Sequence, residues 1–155
     1  MSVILKKAGL EMTVRRIMNP NVVYLTPDDT ATRAARLLAR HNIGVLPVCS
    51  EDGRLRGIVT DRDIALRCVA FDNPADETKL RDIMTRGIVT VAPDDEISYA
   101  AKLMATEQIR RLPVVENNKV IGMLSLADIA QRESFHSEVS STLTEITMPK
   151  HKFKR

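Results

Sequence analysis

Length and charge limit what this chain can do. Its 155 residues suffice for one domain, or for two small halves that share a core. The net charge is +3 from 23 basic and 20 acidic residues, but the last six positions hold four of the basic residues and no acid (Lys150, Lys152, Lys154 and Arg155). The excess charge therefore belongs to the tail. Aromatic residues make up only 3%, which argues against a stacking platform for nucleic acid and leaves weak, salt-sensitive binding of polyanions by the tail as an alternative.

Cysteine usage and hydropathy indicate the compartment. Cys49 and Cys68 lack the spacing of metal ligands, and we interpret both as free, buried thiols in a reducing environment. The apolar run at positions 3–5 is too short for a signal peptide, and no stretch has the length of a membrane helix. We therefore expect a soluble, cytoplasmic protein with no membrane partner.

An internal duplication organises the sequence. Three blocks recur 66 residues later: Ile17-Met18 as Ile83-Met84, Pro27-Asp28-Asp29 as Pro93-Asp94-Asp95, and Leu46-Pro47-Val48 as Leu112-Pro113-Val114. The spacing then becomes 65, because one residue is lost in a turn between Val48 and Gly57. Two copies of one structural unit are therefore predicted.

Each copy begins with an extended piece, at 22–24 and 88–91, that leads into the Pro-Asp-Asp turn. We interpret the paired aspartates as helix caps, in preference to catalytic carboxylates or Mg²⁺ ligands. A helix follows with one apolar stripe at the helical period. The stripe consists of Ala31, Ala34, Ala35 and Leu38 in the first copy, and of Ile97, Ala100, Ala101 and Met104 in the second.

A β-hairpin comes next in each copy. Its first strand is predicted at 43–49 and at 109–116, and each strand carries a proline that suits a strand start or an edge. Asp52-Gly53 predicts a type I′ turn, with Asn117-Asn118 as its equivalent. The return strand leads into a second helix, so the unit is β-α-β-β-α, twice. Further on, Phe135, Val139 and Leu143 suggest a helical stripe, and we expect the basic end to be disordered.

The junction of the return strand and its helix carries the chemistry. The run from Gly57 to Ile64 recurs from Gly122 to Ile129, and in both an aspartate follows a hydroxyl residue by three positions (Thr60 with Asp63, Ser125 with Asp128). This spacing predicts a capping box, which is more often a cap than a ligand site. Two repeated helix starts with free N–H groups also favour an anion such as phosphate.

Taken together, these motifs resemble a tandem pair of CBS (cystathionine β-synthase) domains, a Bateman module, over about residues 12–132. The resemblance implies an α/β fold in which two β-α-β-β-α repeats pack sheet to sheet around a pseudo-two-fold axis. The predicted organisation is an N-terminal segment 1–11, repeat 1 at 12–70, a linker 71–78, repeat 2 at 79–132 and a basic helix or tail at 133–155.

The same resemblance implies clefts between the repeats that bind AMP, ADP or ATP, and in some members S-adenosylmethionine. Asp63 and Asp128 would bind ribose hydroxyls, and Thr60 and Ser125 would face phosphate. The purine would lie against backbone and apolar atoms near Val22, Val23, Ile43, Gly44, Ile88, Val89, Ile109 and Arg110. Val45 is a further candidate for contact with the ligand.

The copies differ where specificity is expected. Repeat 1 has Arg62 between its hydroxyl and its aspartate, where repeat 2 brings no cation. Repeat 2 instead has Arg110 and Arg111 in place of a Gly-Val pair. Because neighbouring strand residues point to opposite faces, we expect one of these arginines to face a cleft, with a solvated surface position as the alternative. We expect two unequal sites, the one with Thr60, Arg62 and Asp63 being better suited to a charged phosphate tail.

No enzyme motif occurs in the chain: there is no P-loop, G-x-G-x-x-G, G-x-S-x-G or H-E-x-x-H, and the three histidines are scattered. We expect no catalysis, no metal and no cofactor beyond the adenosine ligand. Two functions stay open. One is a stand-alone nucleotide sensor that signals to an unidentified partner in trans and pairs as a homodimer. The other is an interaction or scaffold module with a vestigial cleft.

Overall fold

The computed structural model describes residues 12–149, so the predictions for 1–11 and for 150–155 lie outside the described residues. Helices and strands are mixed, which confirms the α/β class. The elements are α1 Val14–Ile17, α2 Ala31–His41, β1 Val45–Cys49, β2 Leu55–Thr60, α3 Asp61–Arg67, α4 Leu80–Ile83, α5 Ile97–Glu107, β3 Arg111–Glu116, β4 Lys119–Ser125, α6 Leu126–Ala130 and α7 His136–Thr147. Short 3₁₀ turns span Val69–Phe71 and Glu133–Phe135.

The chain folds into two compact units that exchange their first segments. The repeat-1 unit comprises Asn21–Val89 and the hairpin turn Glu116–Val120. The repeat-2 unit comprises the described residues 12–20, 90–115 and 121–149. Helix α4 is the first helix of repeat 2 in sequence but belongs to the repeat-1 unit, and α1, the first helix of repeat 1, belongs to the repeat-2 unit. The predicted boundaries at 12–70 and 79–132 divide the chain into consecutive stretches, whereas each compact unit combines segments from both stretches.

The strands of the two units pair in the same pattern. In the repeat-1 unit β1 and β2 are antiparallel, Leu25 forms a parallel bridge to Val48, and Thr85 forms an antiparallel bridge to Ile58. In the repeat-2 unit β3 and β4 pair, with bridges from Val91 to Val114 and from Asn19 to Met123. The predicted extended piece 22–24 thus forms no bridge itself and is followed by the bridging residue Leu25, whereas the piece 88–91 forms one bridge, at Val91.

Gly57 and Gly122 allow the exchanged segments to approach the return strands. A Cβ atom on Gly57 would lie 2.7 Å from the Thr85 carbonyl oxygen and 2.9 Å from the Met84 sulfur. On Gly122 it would lie 2.6 Å from the Met18 sulfur. The repeated Ile-Met pairs and the repeated glycines therefore form one contact in each unit, which explains why both recur together.

The Pro-Asp-Asp turns do not cap the helices that follow them. Helix α2 is capped by Thr30, whose hydroxyl accepts the Arg33 N–H, and the N-cap of α5 is Glu96. The second aspartate of each turn instead accepts a backbone N–H three residues earlier, Asp29 from Thr26 at 2.7 Å and Asp95 from Ala92 at 2.8 Å.

The carbonyl groups of these turns do cap other helices, namely the exchanged ones. The Leu80 N–H donates to the Asp29 carbonyl at 2.9 Å, and the Arg81 N–H donates to the Pro27 carbonyl at 3.0 Å. Val14 and Arg15 make the equivalent bonds to Asp95 and Pro93. The cap prediction was therefore wrong about the aspartate side chains.

The two predicted apolar stripes differ at one position. All four residues of the α5 stripe are buried, but in α2 Ala35 is exposed. Its counterpart Ala101 is buried and its carbonyl accepts the Thr142 hydroxyl of α7 at 3.2 Å. Helix α7 follows repeat 2 only, so no equivalent helix covers Ala35 from within the repeat-1 unit. Tertiary context, and not the local pattern, decides this burial.

The hairpin turns and the C-terminal stripe are partly as predicted. Asn117 and Asn118 both have positive φ, as a type I′ turn requires. In the first hairpin only Gly53 does (φ +86°), so the type I′ prediction is wrong there. Phe135, directly before α7, and Val139 within it are buried, but Leu143 is 42% exposed. Both cysteines are free and buried, as expected.

Candidate functional site

Both hydroxyl-aspartate motifs form capping boxes, as predicted. The Asp63 N–H donates to the Thr60 hydroxyl at 3.0 Å, and the Thr60 N–H donates back to the Asp63 carboxylate at 3.0 Å. Ser125 and Asp128 make the same pair of bonds at 3.0 and 2.8 Å. The strands β2 and β4 thus deliver each hydroxyl to a helix start, and each box fixes its aspartate beside it.

The start of α3 has no free N–H group in its first three residues, contrary to the sequence interpretation. The Asp61 N–H donates to the Gly44 carbonyl at 3.3 Å. The Arg62 N–H donates to the Asp61 carboxylate at 2.8 Å, and the N–H of Asp63 is used in the capping box. An anion approaching this helix start would also meet the negative charge of Asp61.

The start of α6 is more open. The Leu126 N–H donates to the Arg110 carbonyl at 2.8 Å, as its counterpart does in α3. Within residues 12–149 the next N–H, that of Ala127, has no acceptor, and no carboxylate stands where Asp61 does. The two motifs therefore differ in the direction opposite to the one expected from Arg62.

A cavity of about 320 Å³ adjoins this open helix start. Arg110 and Arg111, both exposed, line it together with Ser125 and Ala127. Val139 and Leu143 of α7 contribute apolar surface. Two cations, one hydroxyl and one free N–H thus border a single space within the repeat-2 unit. Both arginines line this cavity, and the expectation that one of them faces a cleft between the repeats stays a prediction.

The Asp63 carboxylate has partners that the sequence analysis missed. The Thr85 hydroxyl donates to it, 3.2 and 3.4 Å from its two oxygens, and the Arg67 guanidinium lies 3.7 Å away. The same guanidinium donates to the Ile83 and Met84 carbonyls at 3.0 and 3.2 Å. The Asp63 side chain is consequently only 10% exposed. The i,i+4 spacing of Asp63 and Arg67 was a usable signal, but the role of Thr85 depends on the exchanged segment.

The candidate ligand-binding residues are divided between the two units. Ten candidates lie in the repeat-1 unit: Val22, Val23, Ile43, Gly44, Val45, Thr60, Arg62, Asp63, Ile88 and Val89. Five lie in the repeat-2 unit: Ile109, Arg110, Arg111, Ser125 and Asp128. The apolar members and Gly44 are all half-buried, neither in the core nor fully exposed. Their contact with a purine stays a prediction.

Two side chains outside these motifs have shifted pKa values. Among the described residues no group of three or more His, Cys, Asp or Glu side chains is placed to hold a metal ion. Burial raises the pKa of the Cys49 thiol to about 11. The Ser50 hydroxyl, bonded to the Asp52 carboxylate, lowers the pKa of that exposed group. Within 12–149, no helix combines the length and the apolar character that crossing a bilayer requires.

Comparison with known proteins agrees with this architecture. The family model for the CBS domain matches residues 14–69 and 80–134. The chain belongs to the CBS-domain family. CBS domains are regulatory modules, and the two matches make this chain a CBS pair.

Three relatives of this CBS pair illustrate the family. The CBS domain-containing protein YhcV of Bacillus subtilis is 37% identical over 135 residues, covering 87% of this chain and 95% of that protein. The crystal structure of Hypoxic Response Protein I, which has two coordinated zinc ions, matches with a TM-score of 0.73 and 33% identity over 78% of this chain and 98% of that one. The CBS pair of protein MJ0100, in complex with 5′-methylthioadenosine and S-adenosyl-L-methionine, matches with a TM-score of 0.70 and 29% identity over 82% and 98%.

Proposed function

We propose that this CBS pair is a cytoplasmic regulatory protein, not an enzyme, that binds an adenosine nucleotide (AMP, ADP or ATP) and signals its presence to a partner in trans. The observation that carries the proposal is the cavity beside Ser125, with its two arginines. The adenosine ligands in the MJ0100 structure support the nucleoside part of the proposal.

The phosphate groups are proposed to bind in the cavity of the repeat-2 unit. Arg110 and Arg111 supply two positive charges, and guanidinium groups suit phosphate oxygens because they offer several donors in a planar fork. The Ser125 oxygen accepts the Asp128 N–H, so its own hydrogen is available to a phosphate. The Ala127 N–H adds a backbone donor. The charge of Arg62 favoured Thr60, Arg62 and Asp63 for phosphate, whereas the cavity favours repeat 2.

The nucleoside is proposed to use the aspartates and the apolar candidates. A carboxylate accepts from both hydroxyls of a ribose, and each capping box holds its aspartate in a fixed position. The apolar candidates offer half-buried surface on which a purine would bury area. Two units with the same motif suggest up to two ligands per chain, bound with unequal affinity.

A thermal-shift screen followed by calorimetry tests this proposal. Binding to the native state alone raises the melting temperature by mass action. We expect ATP, ADP or AMP to raise it, and Arg110→Ala with Arg111→Ala to weaken ATP binding at least tenfold while adenosine binding stays nearly unchanged, since a charged hydrogen bond contributes roughly 1.5–3 kcal/mol. Arg36→Ala, an exposed arginine of α2, is the matched control. Equal losses for ATP and adenosine would contradict the phosphate assignment.

S-adenosylmethionine is the second candidate ligand, because the MJ0100 pair is bound to it and to 5′-methylthioadenosine. S-adenosylmethionine carries two cationic groups, one carboxylate and no phosphate, so Arg110→Ala and Arg111→Ala should weaken its binding much less than they weaken ATP binding. If none of these ligands shifts the melting temperature, the interaction or scaffold function replaces the sensor. A homodimer of CBS pairs is part of the proposal and is measured by sedimentation with and without ATP.

A further inference from the structure

Asp63, Arg67 and Thr85 form a cluster that we call the Asp63 clasp. In it, Arg67 and Thr85 contact the Asp63 carboxylate, the group to which the proposed function assigns ribose binding. Thr85 donates its hydroxyl to Asp63 and is held in place by backbone bonds to Ile58, at 2.8 Å through its N–H and 3.0 Å through its carbonyl. Arg67 joins the carboxylate to the Ile83 and Met84 carbonyls. The clasp therefore links the ligand candidate to the exchanged segment 80–85.

The Asp63 carboxylate can accept only a limited number of hydrogen bonds, so its present donors and the hydroxyls of a ribose would compete for it. One Asp63 oxygen accepts the Thr60 N–H, and the Thr85 hydroxyl lies across both oxygens. With Arg67 near the other oxygen and only 10% of the side chain exposed, two ribose hydroxyls cannot both reach the carboxylate while Thr85 stays bonded to it. In residues 12–149 Asp128 accepts only its capping N–H, so the second unit has no such competitor.

We propose that the Thr85 hydroxyl competes with the vicinal diol of the ligand for Asp63, and that it thereby sets the ligand affinity of the repeat-1 unit. This inference rests on the proposed function. Ligand binding takes Asp63 from Thr85, while Arg67 keeps its bonds to the Ile83 and Met84 carbonyls and to the Thr85 hydroxyl at 3.4 Å. Occupancy of the site is then transmitted to the segment 80–85, which gives the sensor a physical output.

The experiment uses the full chain carrying Asp128→Ala, so that the repeat-1 unit alone keeps its aspartate. AMP and 2′-deoxy-AMP are titrated by calorimetry into this chain and into versions that also carry Thr85→Val, which loses the hydroxyl, or Thr85→Ser, which keeps it. Thr144→Val is the matched control, because among the described residues that exposed hydroxyl bonds only to the Ser140 carbonyl in α7. Thr85→Ala removes the same hydroxyl and serves if Thr85→Val does not fold.

We expect Thr85→Val to tighten AMP binding about threefold to tenfold, as expected for the loss of one competing hydrogen bond, and to lower the melting temperature of the free protein. The gain should be smaller for 2′-deoxy-AMP, and Thr85→Ser and Thr144→Val should bind AMP like the parent. A lower melting temperature with unchanged or weaker AMP binding would mean that the hydroxyl is structural only, and would overturn the inference.

Two further outcomes separate this inference from the proposed function. If the natural chain binds AMP but the Asp128→Ala chain does not, Asp63 holds no ligand and the clasp inference is overturned alone. If the natural chain binds no adenosine ligand at all, the proposed function and the clasp inference are both overturned.

Discussion

Replacing Gly57 with alanine tests the contact on which each unit is built. Glycine inside a strand is normally unfavourable, so an alanine without a clash would stabilise β2 by roughly 0.5–1 kcal/mol. Here the new Cβ would lie 2.7 Å from the Thr85 carbonyl oxygen, well inside ordinary contact at 3.4 Å. That carbonyl accepts the Ile58 N–H at 3.0 Å and cannot retreat without stretching the bond.

The expected cost follows from these two effects. Overpacking costs about 1–3 kcal/mol, and a weakened backbone hydrogen bond adds about 1 kcal/mol. After the gain of roughly 0.5–1 kcal/mol in the strand is subtracted, we expect Gly57→Ala to lower the free energy of unfolding by about 2–3 kcal/mol. Gly122→Ala is the matched comparison: its closest obstacle is the end of the flexible Met18 side chain, and the nearest backbone oxygen is 3.1 Å away. A smaller loss of about 1–2 kcal/mol is expected there.

Urea unfolding of both variants, followed by circular dichroism, measures these losses. The order of the two variants is the decisive result, because it does not depend on the absolute scale. If Gly57→Ala were as stable as the natural chain, or lost less than Gly122→Ala, the close approach of the segment 80–85 to β2 would be refuted.

Three further predictions follow from the structure. Thr60→Ala and Ser125→Ala should each lower the free energy of unfolding by about 1 kcal/mol through loss of a cap, measured by urea unfolding in the absence of ligand; no loss would contradict the capping boxes. Cys49 has its pKa raised to about 11 from 9.0, so its neutral form stabilises the fold below pH 9 and that contribution is lost as the pH rises through 11. Between pH 8 and 10 the natural chain should lose about 1.4 kcal/mol more than Cys49→Ala, and equal slopes would contradict the burial of the thiol. Ala101→Leu should cost about 1–3 kcal/mol because α7 covers it, whereas Ala35→Leu should stay within about 0.5 kcal/mol; equal melting temperatures would contradict the difference in cover.

Most of what could be predicted about the fold came from the internal duplication. The mixed class, the strand-helix junctions and both capping boxes depend on residues close in sequence, so local spacing was enough to predict them. The Pro-Asp-Asp turns were misread because their carbonyl groups, which no sequence pattern reveals, bond to helices about 50 or 80 residues away. The burial difference between Ala35 and Ala101 likewise depends on a helix that only one copy possesses.

The candidate site residues were selected by residue type, and the sequence did not reveal their surroundings. Ser125, Arg110 and Arg111 border one cavity. The first N–H groups of α3, in contrast, already have acceptors in Gly44 and Asp61, and this could be seen only once the positions of those two residues were known. The partners of Asp63 arise from the exchange of segments between units. The spacing within one copy could not indicate that exchange, because the two Ile-Met blocks are alike and either could pack against either glycine.

The most direct test of the account is the number of AMP molecules bound per chain, measured by equilibrium dialysis, in the natural protein and in the double variant Asp63→Ala, Asp128→Ala. The account predicts binding to the natural protein and its loss in the double variant, with the fold unchanged by circular dichroism. A folded double variant that binds as much AMP as the natural protein, with the same affinity, would contradict it.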